Sequence, residues 1–103
     1  MSEITGRQKR YLRGLAHGLK PVIQIGRNGL TDGLYESLED ALDHHELIKV
    51  RFVDFKDQKK EACEEIDARV GSVCVGTIGH VAIFFRQAPD PEMRKIKLPG
   101  NPP

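Results

Sequence analysis

The chain has 103 residues, of which 39% are hydrophobic and 30% are charged, and its formal net charge is +1. A chain of this length forms one domain, and its composition is that of an ordinary globular protein. No apolar run approaches the roughly 20 residues that a membrane helix requires, and residues 1–5 lack the pattern of a secretory signal, so we expect a cytoplasmic protein without a membrane role.

Charge is unevenly distributed along the chain. Residues 1–29 carry six bases and one acid, residues 30–71 carry six bases and twelve acids, and residues 72–103 carry four bases and two acids. A local excess of positive charge indicates a polyanionic partner for the first third of the chain. Chance segregation of solvated faces would give the same pattern, so composition alone leaves both interpretations open.

The first predicted helix begins at Thr5. Thr5 and Gln8 have the spacing of a capping box, in which each side chain accepts a hydrogen bond from the other residue's backbone N–H. The apolar face of this helix is predicted to comprise Tyr11, Leu12, Leu15, Ala16 and Leu19. Its basic face is predicted to comprise Arg10, Arg13 and His17. Gly18 and the dipeptide Lys20-Pro21 end the helix.

A short strand and a second helix follow. Residues 22–25 are rich in β-branched side chains, and the missing N–H of Pro21 suits the start of an edge strand. Thr31 is a good N-cap for the second helix. The buried stripe of that helix is predicted to comprise Leu34, Leu38, Ala41 and Leu42. His44 and His45 close the helix near the negative end of its dipole.

Three further strands and a third helix complete the predicted domain. Residues 47–55 alternate between apolar and charged side chains, which predicts a half-buried strand. Asp57 begins a third helix that ends at Gly71. Residues 73–78 and 81–86 form a hairpin, and the continuous apolar run in the second of these strands indicates a central position in a sheet.

These elements define the fold class. The order helix, strand, helix, strand, helix, strand, strand predicts a single α/β domain over residues 1–88 with two crossovers and a final hairpin. Residues 89–103 are rich in proline, and we expect them to form an extended, partly flexible tail.

The turn formed by Gly26, Arg27, Asn28 and Gly29 is the most informative motif. It lies between a predicted strand and a helix start, where backbone N–H groups can converge on an anion and glycine permits a phosphate to approach closely. KH domains clamp a nucleic-acid backbone with a G-x-x-G loop by similar physics. By itself the four-residue pattern is common, and a tight turn without a ligand is the alternative.

No set of residues predicts catalysis or metal binding. Cys63 and Cys74 are predicted to be reduced core residues without zinc-ligand spacing, and we expect no cofactor and no metal. Glu36, Asp40 and Asp43 have helical spacing, but nothing in the sequence brings a base, a nucleophile or a pocket to them, so a solvated acidic face is expected.

Four sequence segments resemble the CRM domain (chloroplast RNA splicing and ribosome maturation) in its stand-alone bacterial YhbY-like form. They are RGLAH at residues 13–17, LKPV at 19–22, IGRNGLT at 25–31 and LDHHELIKV at 42–50, within a likeness that covers roughly residues 5–98. A departure is His80, where close relatives often carry lysine.

The resemblance implies a fold and a function. The fold is a two-layer α/β sandwich similar to the C-terminal domain of translation initiation factor 3, with mixed-sheet order 1-2-4-3 and the last strand antiparallel. The resemblance also implies that residues 26–29 are the family's G-x-x-G loop beside a basic surface. Bacterial members associate with precursors of the large ribosomal subunit, and the family has no enzymatic activity.

The resulting hypothesis is a monomeric, non-enzymatic RNA-binding protein that assists assembly of the large ribosomal subunit, with ribosomal RNA as its partner. The residues predicted to bind RNA are Gly26, Arg27, Asn28, Gly29, Arg10, Arg13, His17, Lys20 and Lys49. The alternative from another class is an adaptor that contacts a ribosomal protein or an assembly GTPase through the acidic second helix and the tail.

Overall fold

The structure is a computed structural model, and it describes residues 4–54 and 56–99, with only the backbone of Lys56. The helices are α1 (Gly6–Ala16), α2 (Asp32–His45) and α3 (Lys59–Val70). The strands are β1 (Ile23–Ile25), β2 (Leu47–Phe52), β3 (Val73–Ile78) and β4 (Val81–Phe85). The predicted order of helices and strands is confirmed.

The four strands form one mixed sheet in the order β1-β2-β4-β3. β1 pairs with β2 in parallel, and β4 pairs antiparallel with both β2 and β3. The predicted order, the edge position of β1 and the central position of the apolar strand β4 are therefore confirmed. β4 is buried on both sides, which explains why its sequence does not alternate.

The two faces of the sheet carry different helices. Side chains alternate along β2 and β4, so that Ile48, Val50 and Phe84 join the core beneath α2 and α3, whereas Leu47 and Phe85 join the core beneath α1. The α/β class is confirmed. The sheet and the helices α2 and α3 form the two layers of the predicted sandwich. Helix α1 forms an additional layer on the opposite face of the sheet.

Helix α1 buries a narrower stripe than its sequence predicts. The buried residues are Gln8, Leu12 and Ala16, spaced four apart, while Tyr11 and Leu15 are each 41% exposed. Leu19, which was predicted on the same apolar face, is 40% exposed and lies beyond the end of α1. The buried stripe is narrow because α1 packs on β2, β3 and β4 without a neighbouring helix, so only the side facing the sheet is covered.

Local hydrogen bonds define the starts of α1 and α2, whereas β2 and α3 differ from their predicted bounds. The Thr5–Gln8 capping box is present, and the Thr31 hydroxyl accepts a hydrogen bond from the Leu34 N–H, as predicted for the two N-caps. Strand β2 ends at Phe52, earlier than predicted, and Phe55 lies outside the described residues. Helix α3 begins at Lys59 instead of Asp57, which lies in a preceding 3₁₀ turn.

The C-terminal tail runs along the α1 side of the sheet as far as residue 99. Glu46, which is 2% exposed, accepts backbone hydrogen bonds through its carboxylate from Ala88 (2.7 Å), Lys95 (2.8 Å) and Ile96 (3.0 Å). Ile96 and Leu98 pack on the core beneath α1. One buried carboxylate therefore joins the tail to the domain, and the rest of the predicted tail, residues 100–103, lies outside the described part of the chain.

Candidate nucleic-acid interface

The turn of residues 26–29, hereafter the G-x-x-G turn, connects β1 to the start of α2. The Gly29 N–H donates a hydrogen bond to the Gly26 carbonyl at 3.0 Å, which closes a tight turn. Gly29 is buried and has a φ of 68°, a conformation that glycine adopts without a Cβ penalty. Gly26, Arg27 and Asn28 are exposed, so the tip of the turn is accessible from solvent.

An open concavity adjoins the G-x-x-G turn. It has a volume of about 410 Å³, and its lining includes the turn itself together with Gln24, Thr31 and Gly33. Among the described residues, no atom beyond Gly26 and its two chain neighbours lies within 4 Å of where a Cβ on Gly26 would lie. A phosphate group could therefore approach the turn without displacing a side chain.

The predicted basic residues of α1 have unequal roles. Arg10 and His17 are exposed. Arg13 is half-buried, and its guanidinium donates a hydrogen bond to the Val75 carbonyl at 2.7 Å, where β3 has a bulge between Cys74 and Gly76. A Cβ at Gly76 would lie 2.6 Å from the Cδ of Arg13. Arg13 thus holds α1 to β3, with part of its guanidinium still available to a ligand.

Arg51 is a basic residue that the sequence analysis did not include in its site. It is exposed on β2 and shares the α1 side of the sheet with Lys49, because side chains two residues apart point to the same face. Gln24 on β1 pairs with Arg51 in register and is also exposed. The alternation of Lys49 and Arg51 in the sequence was the signal that could have identified Arg51.

Two further predicted residues lie near the start of β1. The Lys49 ammonium donates a hydrogen bond to the Leu19 carbonyl at 3.1 Å, so this side chain supports the connection between α1 and β1. Lys20 is exposed and lies beside an apolar groove of about 460 Å³ lined by Leu15, Leu19 and Ile96 among others. Lys20 is thus at the opposite end of β1 from Arg27.

The structure does not bring the predicted residues to one point, because the concavity beside the G-x-x-G turn is lined partly by Leu34 and Ser37 of α2. The G-x-x-G turn follows the edge strand β1, whereas Arg13 contacts β3 at the other edge of the sheet. These two edge strands are separated by three strand spacings of about 4.8 Å, which is about 14 Å. Arg51 and Lys49 on β2 lie between them. We refer to Arg10, Arg13, His17, Lys49 and Arg51 as the basic surface.

Charge pairing differs between the basic surface and the rest of the molecule. Among the residues that the structure describes, the salt bridges involve Arg69, Arg86 and His44, and none involves the basic surface or Arg27. The exposed acids of α2 and α3 lie on the opposite side of the sheet. They include Asp32, Glu36, Glu39, Asp40, Asp43, Glu61, Glu64 and Glu65.

The described residues contain neither a metal-ligand cluster nor a membrane-spanning helix. Residues 4–54 and 56–99 contain no group of three or more His, Cys, Asp or Glu side chains that could hold a metal ion. Within the same residues, no helix is both long and apolar enough to span a membrane.

A family model and two similar proteins indicate one protein family for this chain. The model of the CRS1/YhbY (CRM) domain matches residues 4–86. An RNA-binding protein of Haemophilus influenzae is 40% identical over 100 residues, which cover 96% of this chain and 98% of that protein. The probable RNA-binding protein YqeI of Bacillus subtilis is 34% identical over 93% of this chain and 99% of its own length.

A solved structure has the same fold. The solution structure of the hypothetical protein SAV1595 from Staphylococcus aureus is 37% identical in sequence and superposes with a TM-score of 0.79. The superposition covers 94% of this chain and all of that one.

Proposed function

The chain belongs to the CRS1/YhbY (CRM) domain family, and from this premise we propose that it binds structured RNA through the G-x-x-G turn and the basic surface. The observation that carries the proposal is that the cations of the basic surface have no carboxylate partner among the described residues, whereas Arg69 and Arg86 on the opposite side do. Unpaired cations beside an open turn favour a polyanionic ligand.

The proposed contacts are to the RNA backbone. The exposed tip of the G-x-x-G turn offers backbone N–H groups and the Arg27 side chain to one phosphate, while Arg51 and Arg10 contact phosphates further along the strand. Contacts of this kind position the protein but read little sequence. Six such contacts would give a slope of log affinity against log salt of about −4 on single-stranded RNA.

The biological role that we propose is assistance in the assembly of the large ribosomal subunit. Its support is the family membership together with the resemblance to stand-alone bacterial CRM proteins. Sequencing of the RNA fragments that crosslink to the protein in growing cells would test this role. Enrichment of ribosomal precursor RNA is expected, and enrichment of messenger or transfer RNA alone would contradict it.

The RNA-binding proposal is tested by the double substitution Arg27→Ala with Asn28→Ala. We expect at least a tenfold loss of affinity for structured RNA, about 1.4 kcal/mol, with the thermal unfolding temperature unchanged because both side chains are exposed. The matched control is Arg69→Ala, which removes an exposed cation from α3 on the other side of the sheet and should leave RNA affinity within about twofold.

The same variants separate RNA binding from the adaptor function. If Arg27→Ala with Asn28→Ala retains its fold and its association with ribosomal precursors, the RNA-binding proposal is wrong and the adaptor is favoured. Loss of association by this variant but not by Arg69→Ala would support RNA binding.

A further inference from the structure

Helix α1 leaves one end of its side of the sheet uncovered. Each strand contributes one residue to this end, and these residues are paired directly across the sheet: Gln24 of β1, Arg51 of β2, Val81 of β4 and Ile78 of β3. Residues paired in this way point to the same face, which for Arg51 is the α1 side. We refer to these four residues as the cross-strand row.

The cross-strand row lies outside the core beneath α1. That core includes Ile83, which is two residues from Val81 on the same face of β4 and is fully buried. In the row itself, Gln24 and Arg51 are exposed, Val81 is half-buried and Ile78 is 56% exposed. The uncovered end of the sheet therefore presents two polar and two aliphatic side chains to solvent.

An open concavity adjoins the cross-strand row. It has a volume of about 600 Å³, and its lining comprises Gln24, Arg51, Phe52, Val53, His80 and Val81. The Phe52 N–H donates a hydrogen bond to the His80 carbonyl at 2.7 Å, which holds the turn of the β3–β4 hairpin beside β2. Gln24 also lines the concavity of the G-x-x-G turn, so the two concavities are adjacent. A strand of RNA held at that turn can therefore reach the row.

The chemistry of this concavity matches a nucleobase better than a phosphate alone. Its lining offers the amide of Gln24, the guanidinium of Arg51 and the ring of His80 beside valine side chains, and none of the described lining residues carries a carboxylate. Within the described residues, the Gln24 and Arg51 side chains have no hydrogen-bond partner. An unpaired base exposes a flat apolar face and a polar Watson–Crick edge, whereas stacking and pairing hide both in a duplex.

We propose that the cross-strand row binds an unpaired nucleobase of the RNA, an inference that rests on the proposed function. Val81 and Ile78 contact the face of the base, and the Gln24 amide forms hydrogen bonds with its edge. Arg51 has enough N–H donors to bond to the base and to the neighbouring phosphate at once. The site therefore favours RNA in which a single-stranded segment adjoins the contacts at the G-x-x-G turn.

The test compares two RNAs that differ only in base pairing. One is a blunt duplex, and the other is the same duplex with two unpaired nucleotides bulged from one strand. Fluorescence anisotropy with the full chain should give at least about fivefold higher affinity for the bulged duplex. Failure to bind either RNA would contradict the proposed function and this inference with it, whereas equal affinity for the two RNAs would overturn this inference alone.

Two glutamine substitutions assign the preference to the cross-strand row, and the measured quantity is the ratio of the two affinities. Gln24→Ala should reduce the ratio to about twofold or less, because it removes the amide that meets the base edge from an exposed position that tolerates alanine. The matched control is Gln58→Ala, which removes an exposed glutamine without a capping hydrogen bond at the start of α3 and should leave the ratio unchanged.

The double substitution Arg27→Ala with Asn28→Ala separates the turn from the row. It should lower both affinities and preserve their ratio, because it removes contacts at the turn alone. Loss of the ratio in this variant would place the unpaired base at the turn and overturn the inference. A ratio that is unchanged in Gln24→Ala, or that falls equally in Gln58→Ala, would overturn it as well.

Discussion

The two sides of the sheet use their charges differently. On the α2 and α3 side, the Arg86 guanidinium bonds to the carboxylates of Glu39 and Asp43, and Arg69 pairs with Asp32 at 3.7 Å while lying 4.3 Å over the ring of Tyr35. On the α1 side, Arg13 and Lys49 donate to backbone carbonyls, which are neutral. Two arginines are therefore neutralised by carboxylates on the α2 and α3 side, whereas Arg13 and Lys49 on the α1 side are not.

This difference shows that the net charge of a chain does not indicate whether one of its surfaces is basic. The whole chain has 16 basic and 15 acidic residues, close to neutral. The sheet separates the two kinds of charge, because consecutive strand residues point to opposite faces and the acidic helices α2 and α3 cover only one of them. A nearly neutral domain can in this way present a basic surface to a polyanion.

Glu46 provides the largest expected effect, because it holds the tail that completes the α1 side. Glu46→Ala should lower the free energy of unfolding by about 3 kcal/mol, since three backbone N–H groups lose a charged acceptor. Glu46 also has a φ of 62°, so Glu46→Gly should be about 1 kcal/mol more stable than Glu46→Ala. Urea denaturation measures both differences.

The variants Glu46→Ala and Glu46→Gly test two different roles of Glu46. A loss below about 0.5 kcal/mol in Glu46→Ala would mean that the carboxylate does not hold the tail. Equal stability of the alanine and glycine variants would mean that the positive φ at this position imposes no strain.

Charge reversal on the two sides tests the comparison directly. Arg10→Glu combined with Arg51→Glu should weaken RNA binding about thirtyfold, roughly 2 kcal/mol, because two phosphate contacts become repulsive. Lys60→Glu combined with Arg69→Glu makes the same change in net charge on α3. Binding measured over a range of salt concentrations should show a shallower slope for the first pair only, and equal losses for both pairs would show that long-range charge is sufficient.

The two glycines of the G-x-x-G turn give the smallest expected effects. Gly29→Ala should lower stability by about 1 kcal/mol because of the positive φ at Gly29. Gly26→Ala should leave stability within about 0.5 kcal/mol, since a Cβ there meets open space, but weaken RNA binding about fivefold if a phosphate approaches the backbone closely. Unchanged RNA affinity in Gly26→Ala would place the bound phosphate elsewhere.

Much of the fold could be predicted from the sequence because it depends on local patterns. The Thr5 and Thr31 caps predicted the starts of α1 and α2, and the unbroken apolar run of β4 predicted its central position. The apolar stripe of α1 was predicted too widely, since helical spacing shows which residues share a face but not how much of that face a neighbour covers.

The candidate site was predictable in part. The G-x-x-G turn and its position between β1 and α2 could be predicted from glycine spacing, and the exposure of Gly26, Arg27 and Asn28 agrees with that interpretation. The role of Arg13 in holding β3 could not be predicted, because its partner Val75 is 62 residues away in sequence. Arg51 was predictable from alternation with Lys49 but was not selected.

Local sequence patterns were enough to predict the starts of α1 and α2, the order of the strands along the chain and the turn, because the hydrogen bonds and side-chain spacings responsible involve residues within a few positions of each other. Which charges are neutralised, which face remains basic and where the tail lies all depend on the tertiary structure. Those outcomes depend on contacts such as Glu46 with Ile96, 50 residues apart in sequence, which form only after the sheet has assembled.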